Sequence, residues 1–297
     1  MRKCRRREGG RMKVERICVV GAGTMGHGIA QVAAMHGYPV TMIDISKEII
    51  DKAFKGIEFS LKKLAEKGKF DAGKIEDVLG RIEGSIDLNS AKDSGLVIES
   101  IPEDMKLKQE VFRKLDEICP PETIFASNTS ALSITEMASV TKRKEKFIGM
   151  HWFNPAPIMR LIEIVRTIDT SEDTLNTIIE LSKEFGKEVV VCNDSVGFIT
   201  SRALQAFVTE CIRILEEGIA TAEDIDKAIK LGLNHPMGPF ELLDFTNGIP
   251  VIFHAGEEMR RVYGERFTVP QTVRMLYYSG RHGRKSGRGF YDYTKRE

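Results

Sequence analysis

Six residues, Gly21-Ala22-Gly23-Thr24-Met25-Gly26, join a short apolar run, Ile17-Cys18-Val19-Val20, to a stretch of helical spacing. A second apolar run, Val40-Thr41-Met42-Ile43, follows and ends on Asp44. A G-x-G-x-x-G hexapeptide alone says little, because glycine-rich turns are common. Set between a buried strand and a helix, with an acid closing the next strand, it predicts a parallel βαβ unit built around a dinucleotide. Gly21 permits the tight turn, Gly23 lets a diphosphate approach the backbone, and Gly26 lets the helix lie close to the sheet. The helix N-terminus offers unpaired N–H donors and a favourable dipole to phosphate. Asp44 is placed to accept hydrogen bonds from the adenosine ribose and to repel a 2′-phosphate, so NAD is expected over NADP, with FAD the other dinucleotide considered. Gly21, Gly23, Met25, Gly26 and Asp44 are the cofactor-binding candidates of this segment.

Apolar runs continue to alternate with helical spacing as far as residue 193: Leu96–Ile101, Thr123–Ser127, Phe147–Trp152, Leu161–Val165 and Glu188–Cys192 read as strands. Such alternation predicts a Rossmann-like, doubly wound, mostly parallel α/β sheet. From Gly197 onward the spacing is helical, with no convincing strand before the extreme C-terminus. Three segments are therefore expected: residues 1–11 as a disordered basic extension ahead of a plausible start at Met12, 12–195 as the NAD-binding domain, and 196–297 as a smaller all-α domain.

Charge narrows the partners. Residues 1–11 hold six basic residues against one acid, a net +5, so the remainder carries −4 although the whole chain is +1. A body of that sign is not a nucleic-acid binder by charge. No apolar run reaches the ~18–20 residues of a membrane helix, so no membrane partner is expected. Five scattered cysteines without C-x-x-C spacing read as free thiols of a reducing compartment, hence a cytoplasmic protein. Six dispersed histidines give no metal-ligand spacing.

One of those histidines stands apart. His151 closes an apolar run, and Glu163 interrupts another twelve residues later. Pro155 and Pro157 lie between them and forbid a continuous helix. If the two runs fold back around Pro157, His151 and Glu163 face each other. A buried carboxylate without a partner is costly; one paired with an imidazole fixes its tautomer. Beside a nicotinamide, that histidine is suited to take a hydroxyl proton as hydride leaves the same carbon. The plain alternative is a core histidine near a strand-edge glutamate.

Five stretches together give a more specific indication: the glycine loop, Ala126-Ser127-Asn128-Thr129-Ser130, His151-Trp152-Phe153-Asn154-Pro155, His235-Pro236-Met237-Gly238-Pro239-Phe240 and Gly287-Arg288-Gly289-Phe290-Tyr291. From about residue 13 to 293 the chain resembles the 3-hydroxyacyl-CoA dehydrogenase family, especially its single-function 3-hydroxybutyryl-CoA type. The resemblance implies reversible oxidation of (S)-3-hydroxyacyl-CoA to 3-oxoacyl-CoA with NAD, and a homodimer formed through the helical domain. It assigns His151 as the base, Glu163 as its partner and Ser130 as the ligand of the substrate's 3-oxygen. Glu103, Lys108 and Asn128 fall with the cofactor, and Asn154 with the thioester end of the substrate. One position departs: where the family has asparagine, Gly197-Phe198-Ile199-Thr200-Ser201-Arg202 has Ser201, which is shorter and lacks an amide. Loss of a preorganised donor there bears on rate and substrate preference more than on reaction class.

Two other readings are open at this stage. A β-hydroxy acid dehydrogenase acting without CoA shares the two-domain plan but uses a lysine acid/base, which the His151–Glu163 pair argues against. A non-catalytic NADH-binding protein is the reading that Ser201 alone would favour. Lys62, Lys63, Lys67, Lys69 and Lys74 are either a solvated face or a landing place for CoA phosphates. The apolar residues of the stretch 198–215 cover more than one face, as expected of a helix buried partly by a second copy.

Overall fold

The computed structural model describes residues 14–294; the basic segment 1–11, Met12 and Cys4 lie outside them. The chain divides into two compact units between Asp194 and Ser195.

In the first unit eight strands form one sheet: β1 (Ile17–Val20), β2 (Val40–Ile43), β3 (Ile82–Ser85), β4 (Leu96–Glu99), β5 (Ile124–Ser127), β6 (Phe147–Trp152), β7 (Leu161–Arg166) and β8 (Glu188–Asn193). Their order is β3-β2-β1-β4-β5-β6-β7-β8. The first six are parallel, β7 runs antiparallel to β6, and β8 is parallel to β7. Among the described residues six α-helices belong to this unit: α1 (Thr24–Met35), α2 (Lys47–Glu66), α3 (Ile75–Gly80), α4 (Met105–Ile118), α5 (Ile134–Ala138) and α6 (Glu172–Glu184). Every residue of β1, β2, β4, β5 and β6 is buried, which is why these strands read as mostly apolar runs rather than alternating ones. From β1 the chain builds outward to β2 and β3, then returns to place β4 on the other side of β1. That reversal opens a crevice at the carboxyl ends of β1 and β4.

Helix starts follow side-chain chemistry. Ser46 caps α2 by accepting from the Ile49 N–H, and Asp104 caps α4 by accepting from the Leu107 N–H. Two elements carry no clear sequence signal. The edge strand β3, Ile82-Glu83-Gly84-Ser85, has one buried residue and no apolar run; α5 is only five residues long.

The second unit holds α7 (Thr200–Glu216), α8 (Ala222–Gly232), α9 (Pro239–Thr246), α10 (Ile249–Tyr263) and α11 (Gln271–Tyr278). Thr221 caps α8 as its position before two acids predicts. The helical pattern from Phe240 to Tyr263 is in fact two helices, separated where Asn247 takes a left-handed φ of 57°. Two of the sequence motifs find their explanation here. The carboxylate of Asp244, wholly buried, accepts from the Phe290 and Tyr291 N–H groups at 2.9 Å each. Gly289 is required because a Cβ there would lie 1.9 Å from Asp244 Oδ1. Asp226 accepts from the Phe240 and Glu241 N–H groups and from the Tyr291 hydroxyl at 2.6 Å. The Gly287–Tyr291 segment is thus latched by two buried acids, to the last turn of α9 through Asp244 and to α8 and the start of α9 through Asp226.

The wide apolar stripe expected on α7 resolves into two faces. Gln205, Val208, Thr209, Cys211 and Ile212 are buried, whereas Ile199, Ala203 and Leu204 are exposed.

Candidate active site

The parallel strands all end on one edge of the sheet, and the chemistry-bearing residues of the first unit are spread along it in strand order: Asp44 after β2, the glycine loop after β1, Glu99 and Glu103 at and after β4, Ser127 to Ser130 at and after β5, His151 at the end of β6.

The glycine loop is shaped for a diphosphate. Gly21 has φ +99°, and a Cβ on it would lie 2.4 Å from the Ser100 carbonyl oxygen. A Cβ on Gly26 would lie 1.7 Å from the Gly21 carbonyl oxygen. Gly23 is different: it is exposed and a Cβ there would meet nothing within 4 Å, so the space above it is open. It is also the N-cap of α1 and makes no side-chain cap, leaving backbone donors directed into that space. Met25 follows in the first turn of α1, half-buried. Asp44 Oδ2 accepts from the Ala22 N–H at 2.6 Å and Oδ1 from the Ile45 N–H at 2.7 Å, which locks the carboxylate beside the loop. A carboxylate has lone pairs beyond these two bonds, so ribose hydroxyls can still be accepted. The loop and Asp44 fit an NAD molecule laid across the strand ends.

At β6 and β7 the register pairs His151 with Glu163, Met150 with Ile164 and Trp152 with Ile162. The symmetric fold-back around the proline turn is therefore the observed geometry. His151 Nδ1 and Glu163 Oε2 are 2.6 Å apart, with His151 6% and Glu163 0% exposed. The short, buried contact to Nδ1 favours the tautomer with its proton on that nitrogen, leaving the lone pair on Nε2. Phe153 stacks obliquely on the imidazole, centroids 4.5 Å apart. Asn154 follows in the turn and is exposed. That turn is fixed from two sides. Lys187 donates to the Ala156 and Met159 carbonyls at 2.6 and 2.7 Å, and Ala156 and Pro157 press against Gly28 of α1. Burial lowers the Lys187 ammonium to about 8.

Between these ends lies a cluster that joins β4, β5 and α4. Glu99, the last residue of β4, is wholly buried. It accepts from Lys108 Nζ at 2.5 Å, from the Ile101 N–H at 2.8 Å and from the Ser127 hydroxyl at 2.6 Å. Lys108 also donates to the Ile101 carbonyl and stands 3.4 Å from Glu103 Oε2. Glu103 Oε1 in turn accepts from the Thr129 hydroxyl and from the Ser130 and Ala131 N–H groups at 3.0 and 3.3 Å. Glu103 thus holds the turn that carries Ser130. Asn128 ties the same turn to both neighbouring strands, donating to Ser100 Oγ and accepting from the Trp152 N–H.

The strand ends bring Asp44, Glu103, Asn128, Ser130, His151 and Glu163 to one edge. Lys108 shares the cluster but is 1% exposed and stands 3.4 Å from Glu103 Oε2. Ser201 belongs to the second unit, half-buried in the first turn of α7. Lys67 and Lys69 are exposed just past α2. Sequence reasoning missed Glu99; its one signal is a carboxylate ending a four-residue buried strand. Among the described residues, no cluster of His, Cys, Asp and Glu is placed to hold a metal ion. Among the described residues, no helix is long and apolar enough to cross a membrane.

Comparison with known proteins agrees over nearly the whole chain. The sequence profile of the 3-hydroxyacyl-CoA dehydrogenase NAD-binding domain matches residues 16–195, and that of the family's C-terminal domain matches 197–293. A probable 3-hydroxybutyryl-CoA dehydrogenase of Bacillus subtilis is 43% identical over 286 residues, covering 96% of this chain and 99% of that protein. The human mitochondrial hydroxyacyl-coenzyme A dehydrogenase is 43% identical over 289 residues, covering 94% and 91%. The crystal structure of (S)-3-hydroxybutyryl-CoA dehydrogenase from Ralstonia eutropha superposes with a TM-score of 0.91 at 38% identity, covering 95% of this chain and all of that one. With the strand order, glycine loop and His151–Glu163 pair already in place, these matches establish that the chain belongs to the 3-hydroxyacyl-CoA dehydrogenase family.

Proposed function

We propose that the chain oxidises short (S)-3-hydroxyacyl-CoA thioesters, 3-hydroxybutyryl-CoA foremost, with His151 as general base and Glu163 as its partner. The observation that carries this reading is the buried His151–Glu163 pair at the carboxyl edge, on the same edge as the dinucleotide loop. NAD, when bound, accepts the hydride from C3 of the substrate. His151 takes the C3 hydroxyl proton at Nε2 while Glu163, bound at Nδ1, stabilises the imidazolium that forms. In the reverse direction the same nitrogen returns the proton to the 3-oxo oxygen. The Ser130 hydroxyl has no protein partner among the described residues, and it donates to that oxygen. The exposed Asn154 meets the thioester end, and Ser201 takes the place of the family's asparagine, with less reach.

The exposed apolar residues Ile199, just before α7, and Leu204, on it, support a homodimer through the helical unit. Four described cysteines, all free thiols, support a reducing compartment such as the cytoplasm.

The test is consumption of NADH with acetoacetyl-CoA, run beside free acetoacetate and beside NADPH, for the wild type and His151→Gln. CoA-dependent turnover that His151→Gln loses, with NADH affinity intact, is the expected result. Normal turnover by His151→Gln would refute the assignment of the base, and equal rates on free acetoacetate would refute the thioester.

A further inference from the structure

The Glu99–Lys108–Glu103 cluster is larger than positioning a turn requires. It holds two carboxylates and one ammonium, a formal charge of −1, at the end of β4 and against the turn after β5. Glu99 and Lys108 are wholly buried and neutralise each other at 2.5 Å. The Glu103 side chain is 42% exposed and is the member that faces outward. Three donors converge on its Oε1, from Thr129, Ser130 and Ala131. Converging donors of this kind fix the orientation of the carboxylate.

Strand order places this charge relative to the cofactor. A dinucleotide held by Asp44 after β2 and by the glycine loop after β1 continues toward β4, β5 and the His151 strand. Its nicotinamide half would then reach the ends of β4 and β5, where Glu103 meets the backbone of Ser130. The two redox forms of that ring differ by one unit of charge: the oxidised nicotinamide is cationic, and the reduced one is neutral. A fixed carboxylate nearby attracts only the first.

We propose that Glu103, held in place by the buried Glu99–Lys108 pair, shifts the relative affinity of the site toward the oxidised cofactor. The inference rests on the placement of the nicotinamide and not on the identity of the acyl chain. Lys108 is the positioning residue: its ammonium bridges the two carboxylates and keeps Glu103 turned toward the Ser130 backbone. The same carboxylate thereby couples cofactor redox state to the turn that binds the substrate oxygen.

The experiment measures dissociation constants of NADH, by fluorescence, and of NAD⁺, by displacement of NADH, in the absence of acyl-CoA. Glu103→Gln keeps shape and removes charge; Glu103→Asp keeps charge and alters reach. For two unit charges several ångströms apart at a partly screened site, Glu103→Gln is expected to raise the ratio Kd(NAD⁺)/Kd(NADH) about five- to tenfold. Glu103→Asp is expected to keep that ratio within about twofold of wild type, whatever happens to turnover. Parallel weakening of both forms in Glu103→Gln would overturn the charge role while leaving the cofactor placement standing. If neither affinity moves, the placement falls with it. An Asp variant shifted as far as the Gln variant would also overturn the proposal. None of these outcomes depends on His151.

Discussion

Glu163→Gln is the sharpest perturbation of the proposed chemistry, because it changes charge and almost nothing else. Glu163 is wholly buried and its Oε2 lies 2.6 Å from His151 Nδ1. As the hydroxyl proton reaches Nε2, a unit positive charge forms on the ring about 4 Å from the carboxylate charge, worth about 4 kcal/mol at an effective dielectric of ~20. The amide of glutamine keeps a dipole but not the charge. It can also present its N–H to Nδ1 and so hold the ring in the wrong tautomer. A loss of about 3–4 kcal/mol at the transition state corresponds to a fall in kcat of about 10²–10³-fold. The assay is steady-state reduction of acetoacetyl-CoA, followed by loss of NADH absorbance, with NADH affinity and the thermal midpoint measured on the same preparations. The expected pattern is a collapse of kcat with NADH affinity within about twofold of wild type. A kcat within about threefold of wild type would show that no imidazolium held by Glu163 forms in the rate-determining step, and the mechanism would have to be abandoned.

Two further outcomes test the scaffold around that pair. Gly23→Ala is expected to leave the denaturation midpoint close to wild type, since nothing lies within 4 Å of the added methyl, and yet to weaken NADH binding at least about tenfold by blocking the diphosphate; unchanged affinity would remove Gly23 from the cofactor site. Lys187→Met addresses pH. Burial lowers the folded-state value of Lys187 to about 8 against an ordinary 10.5, so between those values the unfolded chain binds more protons than the folded one and stability rises with pH. Relative to Lys187→Met, the wild type is therefore expected to gain stability between about pH 8 and pH 10.5, by up to about 3 kcal/mol, read as the difference in urea midpoints. A pH-independent difference would show that the ammonium holding the Ala156 and Met159 carbonyls is not strained by burial.

Much of the site could be read along the chain because its parts are local. The glycine loop is a six-residue device between two consecutive elements, and Asp44 closes the next one. His151 and Glu163 lie on adjacent strands joined by a proline turn, so equal spacing about Pro157 was enough to bring them face to face. The cluster behind Ser130 was not local. Glu99 reads as the last residue of an apolar strand until β5 is known to pair with β4 and bring the Ser127 hydroxyl within 2.6 Å. The family resemblance alone places Lys108 with the cofactor, and only the packing of α4 against that strand end shows it buried between two carboxylates. The edge strand β3 offers a single buried side chain, too little pattern to distinguish it from a loop.

The sequence by itself determined the class of the fold, the shape of the glycine loop and the partner of His151, since each depends on hydrophobic period, glycine sterics or spacing within one hairpin. Only the tertiary structure decided which charges are buried and what they hold. It put Lys108 between two carboxylates, set Lys187 under the Asn154 turn, and closed Asp226 and Asp244 over the C-terminal latch. The reason is that the cost of a buried charge is met by partners far away in sequence, as many as 65 residues off for Asp226 and Tyr291. Periodicity along a chain reports which face is buried, and it carries no information about what lies opposite.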